Sequence, residues 1–213
     1  CMNDPYQDYR FRHPLEMTTP WLPRLLDALA VIDAGTATTL EIEARTLGRQ
    51  SVCTPGCHEC CIRQLIPVTP LEIAGLAWYA AHVLAGHERQ CVKRALRTRQ
   101  RVGCPFLVSG RCAVYPLRPV ACRRFLVTGR PCAPGEDVWQ TRREDIILPE
   151  ARFKTLADAI MLPHYGFHDE ASQRTALDGA YLRSVSQLLF SCDWTPLYDQ
   201  MLALERDEPS PAS

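Results

Sequence analysis

Lysine is nearly missing from this 213-residue chain: Lys93 and Lys154 are two of its 24 basic residues, and the rest are arginine. Net charge is missing too. Twenty-four acidic residues balance the basic ones, so the overall charge names no polyanionic partner. Long apolar runs are absent; the longest, from Leu71 to Gly86, is interrupted by Glu72 and His82 and falls short of the roughly 20 residues that cross a bilayer. No basic stretch followed by an apolar one stands near the start, so a cytoplasmic protein with no membrane contact is expected. Cys1, ahead of Met2, is given no role. The chain has no H-E-x-x-H, G-x-S-x-G, Walker or G-x-G-x-x-G motif, and Pro131-Cys132 lacks the second cysteine of a zinc-deaminase signature. No catalytic residue can be named.

What is present suffices for a folded core: 46% hydrophobic and 23% charged residues exclude a disordered chain. Leu22, Leu25, Leu26, Leu29 and Ile32 fall at helical spacing and predict a helix ending at Gly35, with a second over about 37–47. Thr69, Pro70 and Glu72 form a capping-box signature that opens a helix expected to reach Gly86, and another is expected over about 88–101. Phe106–Val108 and Cys112–Tyr115 flank Ser109-Gly110 and predict a small hairpin. Helical periodicity returns from Pro149, and the tail beyond Glu205 reads as frayed. Trp21, Trp78, Trp139 and Trp194 read as core anchors. The expected fold is mainly α, a single domain over 1–213 with a cysteine-rich metal-binding centre at about 50–135, a small β-hairpin, and helical flanks 1–49 and 136–213.

Eleven cysteines are the outstanding feature, and nine lie between 53 and 132. Cys53, Cys57, Cys60 and Cys61 form C-x3-C-x2-C-C; Cys104, Cys112, Cys122 and Cys132 follow at intervals of eight to ten residues. Thiolates crowded this closely repel unless a cation neutralises them, and soft thiolates select zinc, copper(I) or iron–sulfur clusters. Pro55 and Gly56 supply the turn that lets Cys53 and Cys57 converge. Inert buried thiols explain one or two cysteines, not four in nine residues. In an extended or turning segment the adjacent thiols of Cys60 and Cys61 point apart, so one of them serves a second site, reacts, or is structural. Eight cysteines suffice for two four-ligand sites, or for a cluster plus a zinc. Cys91 and Cys192 stand outside the set.

Cys53-x3-Cys57-x2-Cys60-Cys61, Cys104-Pro105-Phe106-Leu107, and the run from Gly110 through Cys112-Ala113-Val114-Tyr115-Pro116 and Arg118-Pro119 to Cys122-Arg123 resemble the zinc- or iron-chelating cysteine-cluster (YkgJ-like, CxxxCxxCC) family over about residues 50–135. The resemblance implies metal binding by these cysteines, with Cys132 at a position common there. Flagellin lysine methylases resemble the same pattern and are an enzymatic precedent, though no added methyltransferase segment is recognisable. C-x3-C-x2-C is also the cluster-binding spacing of radical S-adenosylmethionine enzymes, but their strand–helix barrel is lacking here. An iron–sulfur cluster, most simply [4Fe–4S] completed by Cys104, Cys112 or Cys122, is favoured over Zn2+, which more typically uses two C-x2-C knuckles.

From Arg89 to Arg130 there are eleven basic and no acidic residues. Arg118 and Arg123, inside the motif, are expected to compensate thiolate charge and donate to sulfur. Arg89, Lys93, Arg94, Arg97, Arg99 and Arg101 read as a solvated helix face; the sharper readings are an anionic small molecule or a protein partner, and no aromatic platform supports nucleic acid. Phe106 and Tyr115 are expected to pack over the centre and exclude water. His58 reads as a loop histidine that could replace a thiolate, and His164 with His168 as a pair whose helix Pro163 and Gly166 make doubtful. Three uses of the centre follow: redox or substrate-coordinating chemistry, a structural zinc module presenting a basic surface, or metal storage and transfer.

Overall fold

A computed structural model of the chain describes residues 6–54, 56–63, 65–97 and 103–207. Expectations at Cys1, Pro55, Arg99, Arg101 and the tail beyond 207 lie outside the described residues. The described chain is mainly helical: α1 (Leu22–Leu47), α2 (Glu59–Arg63), α3 (Pro70–His82), α4 (Gly86–Arg97), α5 (Val120–Arg123), α6 (Val138–Thr141), α7 (Ala151–Met161), α8 (Glu170–Asp178), α9 (Tyr181–Val185) and α10 (Thr195–Asp207). Three short antiparallel pairs accompany them: β1 (Pro67–Val68) with β6 (Gln187–Leu188), β2 (Leu107–Val108) with β3 (Arg111–Cys112), and β4 (Leu126–Val127) with β5 (Ile146–Ile147). The β2–β3 pair is the expected hairpin, turning at Ser109 and Gly110, both with positive φ.

Helix α1 does not stop at Gly35. It continues to a left-handed cap at Gly48, φ +64°. Gly35 serves packing instead, because a Cβ there would sit 2.4 Å from Cγ of Phe153 on α7. The bare backbone lets α7 lie close against α1, and this contact anchors a core of Leu22, Leu25, Leu29, Ile32, Ala157, Met161 and Leu182. Helix α3 starts as the sequence predicts: Thr69 Oγ1 accepts from the Glu72 N–H, and Glu72 Oε2 accepts from the Thr69 N–H at 2.7 Å. It ends at His82, short of Gly86, whose φ of +52° marks the start of α4 instead.

A second core joins α3, α4, α10 and the hairpin through Leu76, Val92, Val108, Trp194 and Met201. Phe106 and Trp194 meet edge-on there, with ring centroids 5.1 Å apart. Cys104, Cys112 and Cys122 pack on the margin of this core. Trp78 and Trp194 are buried as expected, whereas Trp139 is 41% exposed, resting on Phe125 with Arg143 over its ring, and is no core anchor. No helix among the described residues is long and apolar enough to cross a membrane.

Candidate metal centre

Six segments deliver these cysteines. Cys53 and Cys57 lie in the loop before α2, where the Cys57 N–H closes a turn onto the Thr54 carbonyl at 2.9 Å. Cys60 and Cys61 lie within α2 rather than on an extended segment. Cys104 precedes the hairpin, Cys112 sits in β3, Cys122 in α5, and Cys132 in the loop before α6. The Cys104 N–H donates to the Cys61 carbonyl at 2.8 Å, which stitches the second cysteine block onto the first. Gly103, φ +89°, allows that approach, since a Cβ would stand 3.4 Å from the Cys61 carbonyl.

The thiols sort into two groups by the charges they feel. Cys60, Cys104, Cys112 and Cys122 each lie within electrostatic range of the other three. Burial is the main influence on three of them, and it pushes Cys104 up to about 12 and Cys122 well above the usual thiol range. Cys60 is raised first by its hydrogen bond with Cys61, then by burial. Cys53, Cys57 and Cys132 form the second group, in which Cys57 and Cys132 are raised by burial and by their neighbours. Cys57 also feels Cys60, so the groups adjoin. All ten described cysteines are free thiols.

These features suit a bound cation. Thiols stacked in one another's field stay protonated unless positive charge is added, and a coordinated metal adds it. Backbone N–H groups two residues on face three of the sulfurs: Glu59 for Cys57, Phe106 for Cys104 and Val114 for Cys112. That pattern favours a thiolate and orients it. Arg118 bears on Cys60, Cys112 and Cys122, and its buried Nε has no hydrogen-bond partner, which leaves a donor available to sulfur. Among the described residues, no three His, Cys, Asp or Glu side chains are arranged to hold a single metal ion.

Arg123 is 5% exposed, pairs with Asp33 of α1, donates to the Arg118 and Pro116 carbonyls, and bears on Cys112. Phe106 is buried in the second core, against which Cys104 and Cys112 pack. Tyr115 differs from expectation: 57% exposed, it carries the Arg118 guanidinium over its ring at 4.3 Å rather than shutting out water. His58 places Nδ1 2.8 Å from the Gly56 carbonyl. His164 lies in a tight turn over 162–165 while α8 begins at 170, so it shares no helix with His168.

Arg142 is a neighbour of the centre that the sequence did not disclose. Buried at 7%, it pairs with Glu136 at 2.9 Å and Asp145 at 2.8 Å, and its Nη2 lies 3.8 Å from Cys132 Sγ. The Gly135 N–H donates to Glu59 Oε2 at 2.8 Å and closes this loop onto α2. Four of the eleven basic residues of this stretch pair within the fold: Arg89 and Lys93 with Glu205, Arg123 with Asp33, and Arg130 with Glu136.

A mainly helical chain whose cysteines converge from two blocks is, as a class, a thiol-rich metal-binding protein. Residues 52–146 match the model of a family described as a putative zinc- or iron-chelating domain. The match runs past residue 135 and takes in Arg142. No curated protein matches the chain, and no solved structure does.

Proposed function

We propose that the zinc- or iron-chelating domain holds an iron–sulfur cluster on Cys60, Cys104, Cys112 and Cys122, with Cys53, Cys57 and Cys132 as a neighbouring group of thiols. The observation that carries this reading is that four sulfurs from four places in the chain lie within electrostatic range of one another. Ligand sulfurs around one tetrahedral zinc stand only about 4 Å apart. Cysteines on a four-iron cube attach to different irons and so stand further apart. Cys61 remains as a spare thiol beside Cys60. When bound, a cluster supplies electron transfer or an open iron position for a substrate atom. The protein's own part is to hold four thiolates, donate N–H groups to two of them, and set Arg118 and Arg123 against their charge.

A structural zinc module presenting a basic surface is the second reading, although Glu205, Asp33 and Glu136 take up four of the basic residues. Anaerobic purification with iron, sulfide and zinc analysis tests the proposal. A brown protein absorbing broadly near about 400 nm is expected. A colourless protein with stoichiometric zinc and no iron overturns it.

A further inference from the structure

A cavity of about 450 Å3, within the size range of small-molecule sites, opens between α5, α7, α8, α9 and the β1–β6 pair. Its walls are mostly apolar, with Met161, Leu162, Ala176, Leu177 and Leu182 facing one another across it. Its polar end is uneven in charge. Arg124, Lys154 and Arg183 line it, against Glu72 and Asp158.

Both carboxylates are already engaged. Glu72 Oε2 accepts from the Thr69 N–H and Oγ1–H, and Oε1 accepts from the Val120 N–H at 2.8 Å. Asp158 takes Lys154 as its ion-pair partner. Arg124 is left over: its Nε is buried without a hydrogen-bond partner, and Asp158 is the carboxylate whose charge it feels. Arg124 lines the cavity, and a planar carboxylate matches the fork of its guanidinium. The space far exceeds one water and lies at the smaller end of the range of small-molecule cavities.

We propose that this cavity binds a monocarboxylate with a hydrocarbon body of about ten carbons, the carboxylate resting on Arg124 and the chain lying along Met161, Leu162, Leu177 and Leu182. The site borders the metal centre without belonging to it. Ala121 and Arg124 line the cavity, and Cys122 lies between them in sequence. The inference holds whichever metal the cysteines carry.

Titration calorimetry on the full-length, metal-loaded chain tests it with decanoate, 1-decanol and inorganic phosphate. Decanoate is expected to saturate one site, 1-decanol to bind at least tenfold more weakly, and phosphate not to bind. Arg124→Gln should bring decanoate down to the level of the alcohol, and Leu177→Trp should weaken both tenfold or more by filling the space. Equal binding of acid and alcohol, phosphate binding as tightly as decanoate, or an Arg124→Gln protein that binds like the parent overturns the proposal. Should Arg124→Gln fail to fold, the ratio of decanoate to 1-decanol on the parent protein decides.

Discussion

Arg123 and Asp33 form an ion pair that fastens the short helix carrying Cys122 to the middle of α1. Arg123 is almost wholly buried, while the Asp33 side chain keeps a quarter of its surface in water. Removing the carboxylate strands a buried cation, which costs several kcal/mol when both partners are buried and less when one is partly wet. Asp33→Ala should therefore destabilise the protein by about 2–4 kcal/mol in urea unfolding. The replacement of both partners by apolar residues, Asp33→Leu with Arg123→Met, should recover much of that loss. A double variant as unstable as the single one would show that the contact holds the helix by something other than charge.

Gly35 offers a second test, directed at packing alone. Gly35→Ala adds a methyl group into the ring of Phe153, which is itself 8% exposed and hemmed in. Overpacking of this kind costs about 1–3 kcal/mol and outweighs the roughly 1 kcal/mol that alanine gains over glycine in a helix. The expected net change is a loss, read as a lower urea midpoint with an unchanged slope. Phe153→Leu in the same chain should relieve it.

How far the sequence discloses this molecule follows from the range of each interaction. The capping box of Thr69 and Glu72 closes within four residues, so it is legible directly. The role of Gly35 is not, because its partner Phe153 is brought to it only by tertiary packing, and a local reading takes glycine for a helix stop. The same holds at the cysteines. Spacing groups Cys53, Cys57 and Cys60, yet α2 sets Cys60 among the sulfurs of the second block while Cys53 and Cys57 meet Cys132. Arg142 has no local signal at all; its position depends on Glu136 and Asp145 folding around it.

Acid sensitivity should trace to Glu205, which ties α10 to α4. The Lys93 ammonium hydrogen-bonded to it, joined by Arg89, holds its carboxyl below the ordinary 4.5. A carboxylate depressed in the folded state binds protons more readily when unfolded, so its stabilisation is complete above pH 4.5 and fades as pH falls through the folded value. Chemical denaturation at pH 7 and below pH 4 should show a smaller loss in Glu205→Gln than in the parent. An identical loss in both would place the acid response elsewhere.

The partition of the thiols makes a sharper claim, because metal content can be counted group by group. Cys122→Ser should remove the iron held by Cys60, Cys104 and Cys112 and lower thermal stability with it, since metal binding and folding are coupled. Cys132→Ser should leave the visible absorption of the proposed cluster in place. Cys192 is buried in the second core with its thiol donating to the Leu188 carbonyl at 3.4 Å, so Cys192→Ser should leave metal content unchanged. Arg118→Gln should keep the metal but lower the reduction potential by tens of millivolts, because a positive charge facing the sulfurs favours the more negative, reduced state. Arg118→Lys should restore most of it. Equal loss of iron in Cys122→Ser, Cys132→Ser and Cys192→Ser would dissolve the two groups into one. A potential unmoved by Arg118→Gln would show that the guanidinium serves Tyr115 rather than the centre.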